Sequence, residues 1–208
     1  MKRIIFDVDN TLIKWKDEYI SALRKTLDEF NVDADIKLVN EVIDAQELLH
    51  DTMDRQLMLD DINSKCNLNL PIEFIHRLMQ NQCEISEVDE EVIETIDYLS
   101  KKYELYILTN YFKEPQIGRL KKAKIYDYFS GIVGGDDTLI KPNKEIFDLA
   151  CKGIENHEAT MVGDHFERDI MGALNAGLKA IQIDYFNKYN PVDNIPLIRN
   201  IKELKDLL

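Results

Sequence analysis

Two aspartates spaced two apart stand directly after an apolar run, in Ile4-Ile5-Phe6-Asp7-Val8-Asp9-Asn10-Thr11-Leu12. Residues i and i+2 of an extended chain point to the same side. The Asp7 and Asp9 carboxylates therefore reach one small volume just beyond the strand that Ile4 to Phe6 predicts. Two carboxylates placed together repel, unless a cation lies between them or one keeps a proton. The first arrangement holds Asp7 ionised as a ligand or nucleophile; the second makes Asp9 an acid. Asn10 tolerates a positive φ and suits a sharp exit from the strand. The same residues also describe a plain turn with two solvated carboxylates, so the rest of the chain must decide.

Three more polar features stand where strands are expected to end or a helix to begin. Thr109-Asn110 follows the apolar stretch Leu105 to Leu108, and Gly163-Asp164 follows Thr160 to Val162. Leu139-Ile140-Lys141-Pro142-Asn143 runs up to a helix that Asn143 is expected to cap. Each has an ordinary reading as a cap or a solvated loop. In open α/β sheets, however, ligands gather at the carboxyl ends of the strands, and all four features fall at that edge.

The elements that must position them are legible in the spacing. After Leu12, apolar residues recur at helical intervals: Ile20, Leu23, Leu27 and Phe30 within 17–30, then helices over 35–49, 55–62 and 71–82, with Pro71 at a first helical position. From about 15 to 85 there is no glycine and no convincing strand, which predicts a small all-helical module. From Ser86 onward helices and strands alternate. A helix over 87–102 with Ser86 as its cap precedes a strand at 105–108; a helix over 115–123 precedes a short strand at 132–133. The helix after Asn143 precedes a strand at 160–162, and a helix over 168–176 stopped by Gly177 precedes a strand at 179–183. A short helix over 201–208 closes the chain. Alternation means parallel pairing, and the lone N-terminal strand must join the same sheet. The expected fold is α/β: a doubly wound, Rossmann-like parallel-sheet core from residues 1–14 and 86–208, with an inserted helical cap over 15–85.

Composition narrows the function. A hydrophobic content of 45% and a charged content of 31% are globular values. No apolar run approaches the roughly 18 residues of a membrane helix, and the Asp pair interrupts any signal-peptide core, so a cytoplasmic protein is expected. Cys66, Cys83 and Cys151 are widely spaced with no CxxC, which predicts reduced thiols rather than zinc. A net charge of −13 argues against a nucleic-acid polymer as partner. It leaves room for a small anionic substrate, provided a metal, a lysine or backbone N–H groups supply local positive charge.

Taken together, the segments resemble the haloacid dehalogenase-like (HAD) hydrolase superfamily. Asp7-Val8-Asp9-Asn10-Thr11 is similar to its first motif, DxDx[TV]; Thr109 to the second; Lys141-Pro142 to the third; and Gly163-Asp164, with Asp169 five residues on, to the fourth, GDxxxxD. All four occur in order. The resemblance implies a phosphomonoester hydrolase working on a small phosphorylated substrate through an aspartyl-phosphate. Asp7 is then the nucleophile and Asp9 the general acid and base. Mg²⁺ is held by the Asp7 carboxylate, the Asp9 backbone carbonyl and Asp164, with Asp169 binding it directly or through water. Thr109, the N–H of Asn110 and Lys141 hold the phosphoryl oxygens. The helical insertion directly after the first motif resembles a C1-type cap, and only about 30 residues separate Thr109 from Lys141, too few for a large cap there.

The pattern departs from the common one at Asn10, where glycine is frequent, and at His165, where a small residue is. His165 is expected either to touch substrate or metal water or to be a solvated loop residue. Lys14, Trp15, Lys16 and Tyr19 stand at the cap's hinge, either packing it or reading the substrate. Four functions stay open: the phosphatase, with a nucleotidase as its finer form; a sugar phosphomutase; a 2-haloacid dehalogenase, which Asp9 argues against; and an inactive regulatory protein. Oligomeric state is not legible.

Overall fold

The structure is a computed structural model that describes residues 2–14 and 18–208. Trp15, Lys16 and the expected helix start at Asp17 lie outside the described residues. Six parallel strands form one sheet: β1 (Arg3–Phe6), β2 (Glu104–Leu108), β3 (Gly131–Val133), β4 (Ala159–Gly163), β5 (Lys179–Ile183) and β6 (Leu197–Ile198), in the order β3-β2-β1-β4-β5-β6. β1 is central, paired with β2 on one side and β4 on the other. β6 was not expected, since two residues are too short for a periodicity to register.

The strand pleat divides the core into two layers. Ile4 and Phe6 face one with Leu105, Ile107, Val162, Ile181 and Ile183, while Ile5 faces the other with Leu108, Met161 and Ala180. Helices cover both faces, which is why β1 reads as continuously apolar. The first layer is closed by α6 (Glu90–Ser100) through Val92, Ile96 and Leu99, by Leu120 of α7 (Lys113–Lys122), and by Leu204 of α10 (Leu204–Leu207). The second is closed by α8 (Lys144–Ala150) through Ile146, Phe147 and Ala150, and by Ala173 of α9 (Gly172–Asn175).

Between β1 and α6 the described chain is helical: α1 (Glu18–Glu29), α2 (Ile36–Asp44), α3 (Gln46–Leu49), α4 (Arg55–Cys66) and α5 (Ile72–Glu84). This insert has its own core, in which Leu23, Val39, Met58, Ile62, Phe74, Ile75 and Leu78 are buried together. Asp35 and Asp54 cap α2 and α4 by accepting N–H bonds from the first turns.

Several local expectations are corrected. The helix expected over 35–49 is two, divided at Ala45. Ile20 points outward, because Tyr19, Ala22 and Thr26 beside Leu23 complete the inner face. Pro71 is the cap of α5 rather than its first residue, and Asp89 rather than Ser86 precedes α6. Ser86 is buried and turned inward: its hydroxyl donates to Gln82 O at 3.0 Å. The helix expected from Arg168 begins earlier, as a widened turn over Phe166–Met171 running into α9. Gly177 has φ +88, as its role in stopping that helix requires.

Candidate active site

The three adjacent strands β2, β1 and β4 deliver their carboxyl ends to one cleft under the helical insert. Asp7 continues the β1 ladder, its N–H donating to Val162 O at 2.9 Å, and Thr109 likewise continues β2, donating to Val133 O at 3.0 Å. The backbone of both residues is thereby tied to the sheet. Asn10 takes φ 59, and its N–H donates to Ile13 O at 2.8 Å, folding the chain sharply away from β1. Lys141 is joined to Pro142 by a cis peptide bond just before α8. Gly163 ends β4 and leads into Asp164. No larger residue fits at Gly163, since a Cβ there would lie 2.4 Å from Asp169 Cγ.

Lys141 is the electrostatic centre of this cleft. Its ammonium, 3% exposed, donates to Asp7 Oδ1 at 2.7 Å, Asp169 Oδ1 at 2.6 Å and Leu108 O at 3.1 Å. Burial alone would lower its pKa; the carboxylates of Asp169 and Asp7 more than reverse that and hold it above the usual lysine range. Asp169 is fully engaged, its Oδ2 accepting the His165 N–H at 2.9 Å. Asn110 clamps the lysine's backbone, its Oδ1 accepting from Lys141 N at 2.8 Å and its Nδ2 donating to Lys141 O at 3.2 Å.

One oxygen from each of Asp7, Asp164 and Asp169 lies within 4.8 Å of the others. Burial raises the pKa of Asp7 well above the carboxylate range; Lys141 opposes this, and the charges of Asp169, Asp164 and Asp9 add to it. Asp164 is pushed up to about 7, first by burial and then by Asp169. Three hard oxygen donors that one lysine does not fully neutralise suit a small divalent cation such as Mg²⁺, not a soft metal.

Asp9 is turned elsewhere. Its Oδ1 accepts from Arg119 Nη1 at 2.7 Å and its Oδ2 from Gln116 Nε2 at 2.9 Å. Gln116 Nε2 also donates to Thr109 Oγ1 at 3.1 Å, linking the two motifs. Neither Gln116 nor Arg119 was expected. Their signal is faint: two polar residues at i and i+3 on the inner face of α7.

The insert forms the far wall. The cleft, of about 260 Å³, is lined there by Tyr19, Ile43, Asp44, Glu47 and Met53. Glu47 Oε2 accepts from Asn110 Nδ2 at 3.0 Å and pairs with Arg168, so it crosses the cleft to the core. His165 lines the cleft, half buried, with Nδ1 accepting from Arg168 N at 3.2 Å; burial and the neighbouring Arg168 lower its pKa. Lys14 pairs with Asp89 and lies over the Tyr185 ring at 4.5 Å, whereas Tyr19 faces the cleft. Cys66, Cys83 and Cys151 are free thiols away from it.

A parallel sheet with an inserted helical module, and charged loops gathered at its carboxyl edge, defines a capped α/β fold. Residues 4–183 match the haloacid dehalogenase-like hydrolase family, and the chain belongs to it. Among its relatives it is 33% identical over 126 residues to the N-acylneuraminate-9-phosphatase of Homo sapiens and 35% identical over 108 residues to the pyrimidine 5'-nucleotidase YjjG of Escherichia coli. Those matches cover 57% and 49% of this chain and only 51% and 48% of the relatives, about half their length. It is 26% identical to the glyceraldehyde 3-phosphate phosphatase of Methanothermobacter thermautotrophicus over the whole of both chains. The magnesium-bound structure of the HAD-hydrolase YfnB of Bacillus subtilis superposes with a TM-score of 0.77 at 22% identity, covering 100% of this chain and 98% of that one.

Proposed function

We propose that the protein is a Mg²⁺-dependent phosphomonoester hydrolase of small phosphorylated metabolites, working through an aspartyl-phosphate on Asp7. The observation that carries this reading is the convergence of Asp7, Lys141, Asp164 and Asp169 in one cleft, with Asp9 two residues from the nucleophile. The catalytic unit is residues 1–14 and 86–208, and residues 15–85 are its cap. Asp7, the Asp9 backbone carbonyl and Asp164 would hold the ion. Asp169, with both oxygens already engaged, contributes through water. When bound, Mg²⁺ neutralises these carboxylates and the phosphoryl oxygens, which lets an acidic protein accept an anion.

The residues divide the work. Asp7 attacks phosphorus; Asp9 protonates the leaving oxygen, then takes a proton from the water that releases phosphate. Lys141, Thr109 and the N–H of Asn110 hold the phosphoryl oxygens, and the Lys141 ammonium opposes the effect of burial on Asp7. The cap excludes water and contacts the leaving group. Asp9 supports phosphate chemistry over dehalogenation. A nucleotidase is the finer reading favoured by the likeness to YjjG. A cleft of about 260 Å³ lies at the small end of ligand pockets, so a nucleoside leaving group requires the cap to stand further from the core.

The test is a phosphate-release screen over nucleotides, sugar phosphates and glycolate phosphate, with and without EDTA. Asp7→Asn is expected to abolish p-nitrophenyl phosphate hydrolysis while leaving the circular dichroism spectrum intact. Unchanged turnover in that variant, or full activity in excess EDTA, refutes the mechanism.

A further inference from the structure

Arg119 is 1% exposed, and its guanidinium gathers side chains from separate parts of the chain. Nη1 donates to Asp9 Oδ1 at 2.7 Å and stands 2.9 Å from Tyr19 OH and 2.8 Å from Gln116 Oε1. Nε donates to Ser86 Oγ at 2.9 Å. Nη2 is buried with no hydrogen-bond partner among the described residues. Three acceptors thus share the two hydrogens of Nη1 while a neighbouring nitrogen is unused, an arrangement that leaves a buried donor unpaired. Tyr19 and Asp9 draw on the same nitrogen, so a change at one changes what the other receives.

The placement of these partners gives the arrangement a purpose. Tyr19 stands where the chain passes from core to cap, and Ser86 where it returns. Asp9 is the acid and base of the proposed reaction. We propose that Arg119 is a positioning residue: it aims the Asp9 carboxyl at the leaving oxygen and ties that aim to the cap through Tyr19 and Ser86. This rests on the phosphatase reading above. In the first step the Asp7–phosphorus bond forms, the bond from phosphorus to the leaving oxygen breaks, and the Asp9 proton goes to that oxygen. In the second, water attacks phosphorus, its proton returns to Asp9, and Asp7 leaves as a carboxylate with inorganic phosphate. Both steps use the same Asp9 oxygen in the same place, so both depend on Arg119.

The experiment compares phenyl phosphate with p-nitrophenyl phosphate in the full chain with Mg²⁺. Phenolate needs the acid's proton far more than nitrophenolate does. In Arg119→Met, turnover of phenyl phosphate is expected to fall on the order of 10²-fold. The first turnover of p-nitrophenyl phosphate should fall less than about tenfold. It should appear as a burst of one nitrophenolate per chain, because release of phosphate from Asp7 still waits for the misplaced base. The double variant Tyr19→Phe/Ser86→Ala leaves the Arg119–Asp9 pair in place and is expected to shift the ratio of the two substrates in the same direction by less. It decides the matter alone if Arg119→Met does not fold. Equal losses on both substrates, or none, overturn the proposal. A wild type that releases no phosphate from either overturns the phosphatase reading, and this inference with it.

Discussion

Replacing Lys141 by methionine keeps the apolar stem of the side chain as far as Cε and removes its ammonium. The ammonium now serves three acceptors, at 2.7, 2.6 and 3.1 Å, and the side chains of Asp7 and Asp169 that it neutralises are 10% and 2% exposed. Taking away one side of so buried a set strands the other. The expected loss of unfolding free energy is about 3–5 kcal/mol, a large share of the roughly 5–15 kcal/mol that a domain has. Asp7 can relieve the repulsion by binding a proton. Burial already holds the Asp7 carboxyl above the usual carboxylate range, and Lys141 is the neighbouring charge that lowers it, so with Lys141 gone the deficit grows as pH rises and shrinks as it falls. Urea denaturation in EDTA at about pH 8 and about pH 5 measures both values. Asp7→Asn removes one of the stranded charges, so Lys141→Met in that background should cost less than in the wild type, which a double-mutant cycle detects. A loss below about 1 kcal/mol at the higher pH, the value of a surface pair, would refute this account of the cluster.

Two further outcomes follow from the same geometry. Gly163→Ala places a Cβ 2.4 Å from Asp169 Cγ, pushing that carboxylate off Lys141; a loss of about 1–3 kcal/mol in urea and reduced phosphate release are expected. Asp164 titrates at about 7 when folded, against about 3.9 unfolded. Folding therefore takes up a proton between those values, and metal-free stability falls as pH rises through that window and levels off above it. Mg²⁺ at a hundred times its Kd adds about 2.7 kcal/mol, and its effect on Tm should be large near pH 8 and small near pH 5, where it competes with that proton. Thermal melts with and without Mg²⁺ check this, and a shift independent of pH would count against Asp164 as a ligand.

What the sequence determined about this protein are its locally encoded parts. The apolar run to Phe6, the positive φ of Asn10, the stop at Gly177 and the alternation of helix and strand after Ser86 follow from neighbours a few residues apart. Three motifs at strand ends and one before a helix were enough to bring Asp7, Thr109, Asp164 and Lys141 to one edge, because parallel pairing makes the strands finish on the same side and the loop from β3 to α8 starts there. Tertiary structure alone decided the partners of those residues. Arg119 meets Asp9 across 110 positions, Arg168 meets Glu47 across 121, and Ser86, which reads as a helix cap, is instead drawn inward to Gln82 and Arg119. Periodicity reports which face of a helix is inside. It carries no information about which buried polar group on another element will need that face, since desolvation makes such groups find partners wherever the packing puts them.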